Sequence, residues 1–175
     1  MTASVRGLRI GVSELRRHPG ERMRVDRDID LNGIEVSTAA VPAGASGHLD
    51  VVLESLSDGI TVTGTLRVPW TGPCRRCLEE TTGIAEVRLR EVYADRPTDD
   101  DLLPLDGDSV DLGPLVHDTA VLALPLAPLC TEDCVGPAPD TFPVRTAEDV
   151  QERTDPRWAA LDALRFDQGS DDRLE

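Results

Sequence analysis

The sequence predicts an α+β fold: an antiparallel sheet that could close partly into a barrel, packed by a central helix and flanked by short terminal helices. Three observations support this prediction. Apolar and polar residues alternate with a period of two through much of residues 22–93, as in strands with one solvent-facing side. Turn residues separate the alternating runs. Residues 111–124 have helical spacing instead.

The first elements are short. Residues 12–15 predict a brief N-terminal helix, and residues 22–31 predict a strand. An irregularity at residues 26–27 favours a bulge in that strand. Residues 34–38 follow an Asn-Gly turn at residues 32–33 and predict a second short strand.

Residues 48–69 carry the clearest local pattern. Ser57-Asp58-Gly59 is a turn signal between two alternating runs, so the segment predicts a β-hairpin with one wet face. Residues 85–93 alternate in the same way and predict a further antiparallel strand. The residues expected to face inward on the second arm of the hairpin are Ile60, Val62, Leu66 and Val68.

A helix follows the acidic connection of residues 94–108. Asp111 suits the N-cap, and Pro114 suits the first turn. Pro125 and Pro128 end the helix. The residues that recur at helical spacing, and are expected to pack on the sheet, are Leu115, Val116, Thr119, Leu122 and Ala123.

The chain divides by composition into a single α+β domain and a C-terminal extension. We expect the domain over residues 1–134 and a Pro-rich linker over 135–154. A C-terminal helix over 155–167 should dock on the domain, and an acidic tail follows over 168–175. The sequence has neither a secretory signal nor an apolar run that could span a membrane, so we expect a cytoplasmic protein.

Charge argues against general nucleic-acid binding. The 175 residues carry a net charge of −15, and all 18 basic residues are arginine. Such a surface repels a phosphate backbone, and an aromatic content of 3% is too low for a base-stacking platform. Residues 1–27 carry +4 and residues 94–175 carry −14. This asymmetry indicates an interaction surface at each end, or a merely solubilising surface.

Four cysteines form two pairs, Cys74 and Cys77 in C-x2-C and Cys130 and Cys134 in C-x3-C. In a reducing compartment they are better explained as metal ligands than as disulfides. Together they could complete a tetrahedral zinc site that joins the hairpin region to the end of the helix. The alternatives are a redox dithiol at the C-x2-C pair, or four plain thiols.

Several segments together resemble one family. They are residues 12–20, 63–65, 69–79 with the C-x2-C pair, 111–112, 122–130 and 155–161. In this order they are similar to the YceD family, the large ribosomal RNA subunit accumulation proteins, in its actinobacterial form. In many relatives the second cysteine segment continues to two further cysteines. Here Cys134 is followed by Val135-Gly136-Pro137, yet the chain still supplies four sulfurs.

The resemblance implies a non-enzymatic ribosome-biogenesis factor that affects the synthesis, processing or stability of 23S ribosomal RNA. We expect the acidic surface to hold a basic ribosomal protein or a pre-ribosomal particle, while arginines contact the partner or RNA. The rival hypotheses are a thiol–disulfide oxidoreductase, a nuclease with clustered acids, and a structural zinc-stapled adaptor. The candidate partner-binding residues are Arg6, Arg9, Arg16, Arg17, Arg75 and Arg76.

Overall fold

The computed structural model describes residues 5, 7–97, 102–141, 143 and 157. The chain divides into two units, Met1–Ala138 and Pro139–Glu175. The predicted helix over 155–167 and the tail over 168–175 lie outside the described residues, apart from Arg157. Within the described residues, no helix is long and apolar enough to cross a membrane.

The described part of the first unit contains four long strands and five short strands of two or three residues. The strands are β1 (Arg9–Gly11), β2 (Arg22–Asp30), β3 (Glu35–Val36), β4 (Ala39–Ala40), β5 (Ser46–Ser55), β6 (Gly59–Pro73), β7 (Glu80–Ala94), β8 (Leu103–Pro104) and β9 (Ser109–Asp111). The helices are a single 3-10 turn at Leu15–Arg17 and the α-helix α1 at Gly113–Ala123.

The main sheet is built around β6. One edge of β6 pairs with β7 over its whole length, and the other pairs with β5 and then with β4. β2 extends the sheet beyond β5, and β3 extends it beyond β4. β8 pairs in parallel with the last two residues of β7. Among the described residues no strand joins β2 to β7 or β8. The sheet is therefore open, and the expected partial barrel is not found.

The predicted hairpin of residues 48–69 is confirmed by β5 and β6, with their turn at residues 56–58. Ile60, Val62, Leu66 and Val68 are all fully buried. The opposite face is polar and bridged by ion pairs between neighbouring strands, because alternate residues of a strand point to opposite sides. These pairs are Arg24 with Asp50, Arg67 with Glu86, and Arg22 with Glu54.

The prediction of a bulge in β2 is wrong. β2 pairs with β5 without interruption from Arg22 opposite Glu54 to Asp30 opposite Ser46. Arg27 takes an inward position of this edge strand, in phase with the apolar positions on either side, and it remains exposed. In the sequence, this charged residue on the apolar side of the strand therefore looks like a one-residue shift of the alternating pattern.

Helix α1 begins close to the predicted residue, with Leu112 rather than Asp111 as its N-cap. Of the residues predicted to pack on the sheet, Val116 is fully buried, and Leu115 and Ala123 pack against the core while partly exposed. The Asp111 carboxylate accepts the Gly113 N–H at 2.9 Å, so it satisfies one of the first helical donors. Val116 and Ala120 are fully buried, and Leu124 follows them onto the sheet. Leu122 is 85% exposed, which contradicts its predicted burial. Leu115, Thr119 and Leu122 lie on the flank of α1, because the helix faces the sheet through residues 113, 116, 120 and 124.

Two leucines at the end of α1 test this orientation. Leu124 is 3% exposed and Leu122 is 85% exposed. We expect Leu124→Ala to lower the free energy of unfolding by about 2–5 kcal/mol, as for a buried leucine. Leu122→Ala, the matched control, should change it by less than about 0.5 kcal/mol. Urea denaturation measures both, and equal losses would contradict the orientation.

Candidate metal centre

The turn between β6 and β7, residues 74–79, holds the first two thiols. The Cys74 N–H donates to the Glu79 carbonyl oxygen at 2.8 Å, and the Leu78 N–H donates to the Cys74 carbonyl oxygen at 2.9 Å. The Arg76 N–H donates to Cys74 Sγ at 3.4 Å. Leu78 has φ +65°, a left-handed conformation that reverses the chain into β7. The turn is therefore a compact knuckle around the Cys74 sulfur.

The loop after α1 brings the other two thiols to this turn. The Thr38 hydroxyl donates to the Pro125 carbonyl oxygen at 3.0 Å, and the Arg75 N–H donates to the Pro128 carbonyl oxygen at 2.8 Å. Gly72 allows the close approach of the segment that carries Thr38, since a Cβ at residue 72 would lie 2.3 Å from the Thr38 carbonyl oxygen. Backbone contacts thus attach the loop to the end of β6.

The Arg76 side chain joins the two cysteine loops directly. Its Nη1 donates to the carbonyl oxygens of Glu132 and Cys134, both at 2.9 Å. The Cys134 N–H in turn donates to the Thr131 carbonyl oxygen at 3.2 Å, which closes the C-x3-C turn. Arg76, a candidate partner-binding residue in the sequence, therefore has an internal structural role. Arg75 is exposed and forms no ion pair with any described residue.

The four sulfurs converge at one point. Cys74 Sγ lies 3.8 Å from Cys134 Sγ, and Cys77 Sγ lies 3.8 Å from Cys130 Sγ. All four sulfurs lie within 4.8 Å of one another. Tetrahedral zinc with Zn–S bonds of about 2.3 Å requires sulfurs about 3.8 Å apart. The donor set and its spacing are therefore compatible with one tetrahedral metal ion, with Cys74 and Cys134 buried and Cys130 exposed.

The thiols of Cys74, Cys77 and Cys130 have pKa values that are shifted in different directions. The N–H groups of Cys77, Cys130 and Arg76 lower the pKa of the Cys74 thiol to about 5. The Glu79 N–H favours the Cys77 thiolate, but desolvation and the neighbouring sulfurs outweigh it and raise the pKa of Cys77 to about 12. The sulfurs of Cys134 and Cys74 raise the pKa of Cys130. The thiolate of Cys74 is thus favoured, whereas thiolates at Cys77 and Cys130 require a compensating cation.

The N-terminal arginines bind acids of their own unit. Arg16 contacts Asp95 at 2.5 Å and Asp108 at 3.5 Å. Arg9 forms an ion pair with Asp106, and Arg17 pairs with Glu14 at 2.9 Å. Arg6 lies outside the described residues. Arg9, Arg16 and Arg17 are thus neutralised within the domain. Arg16 contacts Asp95 next to the Gly59–Ala94 end of the β6–β7 ladder, whereas the cysteines of the β6–β7 turn lie at the opposite end.

Among the residues that the structure describes, the acids expected of a nuclease do not form a comparable cluster. Among the described residues, the four cysteines are the one group of three or more His, Cys, Asp or Glu side chains placed to hold a metal ion. The sequence identified all four of them. It missed the role of Arg76, because the carbonyl groups that this side chain binds lie far along the chain.

Substitutions of the neighbouring residues Arg75 and Arg76 test whether the Arg76 side chain holds the two cysteine loops together. Arg76→Ala removes two hydrogen bonds from a charged donor, whereas Arg75→Ala removes none that involves a described side chain. We expect Arg76→Ala to accelerate thiol alkylation at least tenfold, because each of the two lost bonds is worth about 1.5 kcal/mol or more. Mass spectrometry of the alkylated chain measures this rate. An increase of the same size in Arg75→Ala would contradict the role of Arg76.

Comparisons with known proteins identify relatives along most of the chain. A family model described as large ribosomal RNA subunit accumulation protein YceD matches residues 62–165. The uncharacterized protein Rv2926c of Mycobacterium tuberculosis is 33% identical over 162 residues, which cover 87% of this chain and 78% of that protein. The uncharacterized protein YlbN of Bacillus subtilis is 26% identical over 165 residues, which cover 87% of this chain and 94% of that protein. No solved structure matches the chain significantly.

The match includes every cysteine of the candidate metal centre, since residues 62–165 contain both cysteine pairs. It also begins within β6 and continues through β7 and α1, the elements that position those cysteines. The extent of this match and the similarity to the mycobacterial protein confirm the resemblance seen in the sequence. The chain belongs to the YceD family.

Proposed function

We propose that this protein is a non-enzymatic, cytoplasmic factor of large-subunit ribosome biogenesis that supports the accumulation of 23S ribosomal RNA. The observation that carries this proposal is the match of residues 62–165 to a family described by that role. The structure adds a physical route. Two loops joined by a metal would form a rigid platform, and the acidic surface of the domain would hold a basic partner.

Charge supports a protein partner rather than RNA as the direct contact. The net charge is −15, and three of the N-terminal arginines are paired with carboxylates of the same unit. A surface of this sign attracts cationic ribosomal proteins and repels phosphates. The effect on ribosomal RNA is therefore indirect in this proposal and passes through a basic protein or a pre-ribosomal particle.

The metal in this proposal is Zn²⁺, bound by Cys74, Cys77, Cys130 and Cys134. Four thiolates at tetrahedral spacing are the donor set typical of structural zinc sites. The Arg76 N–H directed at Cys74 Sγ and the nearby guanidinium groups offset the negative charge of a zinc tetrathiolate. The ion would hold the β6–β7 turn against the loop that follows α1.

The alternative of a thiol–disulfide oxidoreductase receives less support from the geometry. Such an enzyme needs an accessible thiolate to attack a partner's disulfide. Here the thiol with the lowered pKa, Cys74, is fully buried, and the more accessible Cys77 has a raised pKa. The observed arrangement favours ligation of a metal over nucleophilic attack.

Depletion of the protein in its native host tests the biological role. We expect the ratio of 23S to 16S ribosomal RNA to fall, and to recover when the intact protein is supplied. Gel quantification of total RNA measures this ratio. An unchanged ratio after complete depletion would contradict the proposal.

Capture from lysate tests the route. At about 50 mM salt, where charges are weakly screened, the tagged protein should retain a basic ribosomal protein, and at about 500 mM salt it should release it. The contact should persist after ribonuclease treatment. Loss of the ribosomal protein upon ribonuclease treatment would instead show that RNA is the direct contact.

Metal analysis tests the zinc centre. Protein prepared without chelators should carry one zinc per chain, and Cys77→Ser should carry none. Loss of a structural ion that contributes about 3 kcal/mol should lower the melting temperature by roughly 6–12 °C. Arg75→Ala is the control that should retain both the metal and the melting temperature. Substoichiometric zinc in the intact protein would contradict the assignment.

A further inference from the structure

The outer edge of β7 carries backbone groups that the sheet does not use. The inner edge pairs with β6 over its full length, from Glu80 opposite Pro73 to Ala94 opposite Gly59. On the outer edge, the described residues contribute only β8, opposite Tyr93 and Ala94. Among the described residues, the stretch from Glu80 to residue 92 therefore has no partner on this edge, and a strand edge of this kind is a template for another extended chain.

An apolar groove runs beside this edge. Its volume is about 210 Å³, and its apolar lining comes from Val87 and Leu89 of β7 and from Leu122 and Ala123 of α1. The polar residues that also line it are Arg88, Arg90, Glu91 and Thr119. The groove continues past Leu115, which lies on the same flank of the helix. Leu122 is 85% exposed at its rim. The helix is thus apolar over a wider arc than the sheet covers.

The other side of β7 offers positive charge. Arg88 and Arg90 lie on the polar face of the sheet, opposite Thr65 and Thr63 of β6. Neighbouring Glu86 is paired with Arg67, but no described carboxylate pairs with Arg88 or Arg90. In a chain with 33 acidic residues and 18 arginines, two adjacent unpaired arginines on an open edge suit carboxylates from outside the domain.

We propose that the outer edge of β7 binds an extended peptide segment of a partner protein as an added strand. Side chains of a strand alternate between its two faces. An added strand therefore places one set of side chains in the groove beside Leu122 and the alternate set beside Arg88 and Arg90. The segment that fits has apolar residues alternating with acidic ones. This inference goes beyond the proposed function and depends neither on ribosomal RNA nor on zinc.

Other occupants fit less well. A second copy that paired through the same edge would bring its own Arg88 and Arg90 beside those of the first copy, and like charges on neighbouring strands repel each other. A basic segment would place its cations beside Arg88 and Arg90. An alternating apolar and acidic strand satisfies the backbone edge, the groove and the arginines at once.

The probe is a fluorescent ten-residue peptide in which valine alternates with glutamate, titrated with the intact protein. Fluorescence anisotropy should show saturable binding. Leu122→Ser should weaken binding roughly tenfold, as expected for loss of a buried leucine. Replacing Arg88 and Arg90 together by serine should weaken it by a similar factor and reduce its dependence on salt. Leu126→Ser is the matched control, because Leu126 is 77% exposed and does not line the groove.

Two altered peptides test the mode of binding. A central proline removes a backbone N–H from the added strand and should abolish binding. Exchange of the glutamates for lysines should also abolish it. Absence of binding at about 1 mM protein, a Kd that corresponds to only about 4 kcal/mol, would overturn the proposal. So would equal weakening by Leu122→Ser and Leu126→Ser, or a dimer of the protein alone that dissociates upon Leu122→Ser.

Discussion

The uninterrupted pairing of β6 with β7 is the constraint on which the other features depend. Fifteen residue pairs run from Gly59 opposite Ala94 to Pro73 opposite Glu80. This ladder carries the turn of residues 74–79 at one end, and it buries a continuous apolar side beneath β6. It also determines which edge of β7 remains open. The cysteine knuckle and the proposed strand-binding edge are therefore two consequences of one hairpin.

Few local interactions hold the second cysteine loop, so its position depends on distant partners. Thr38, Arg75 and Arg76 bind carbonyl groups of residues 125–134. These contacts leave four sulfurs close together, where thiolates at Cys77 and Cys130 are unfavourable without a cation. A bound metal cation would compensate the negative charge of the thiolates. It would also cross-link the end of the sheet to the end of α1.

The long elements were predictable from the sequence because their pattern is local. The alternation over residues 48–69 and 85–93 specifies both the strands and their buried sides. The short strands β1, β4, β8 and β9 were missed, since two or three residues become a strand only through a distant partner. The C-x2-C and C-x3-C spacing identified the four thiols, but nothing local revealed the contacts of Arg76. Of the stripe predicted on α1, Leu122 was placed wrongly, because the helix is apolar over a wide arc and only packing decides how much of that arc the sheet covers.

The central claim is that four cysteine thiolates bind one zinc ion and so join the two loops. X-ray absorption at the zinc edge, on protein purified without chelators, tests it most directly. The account predicts a first shell of four sulfurs at about 2.3 Å and no nitrogen or oxygen ligand. A shell with nitrogen or oxygen in place of any of these sulfurs would contradict it.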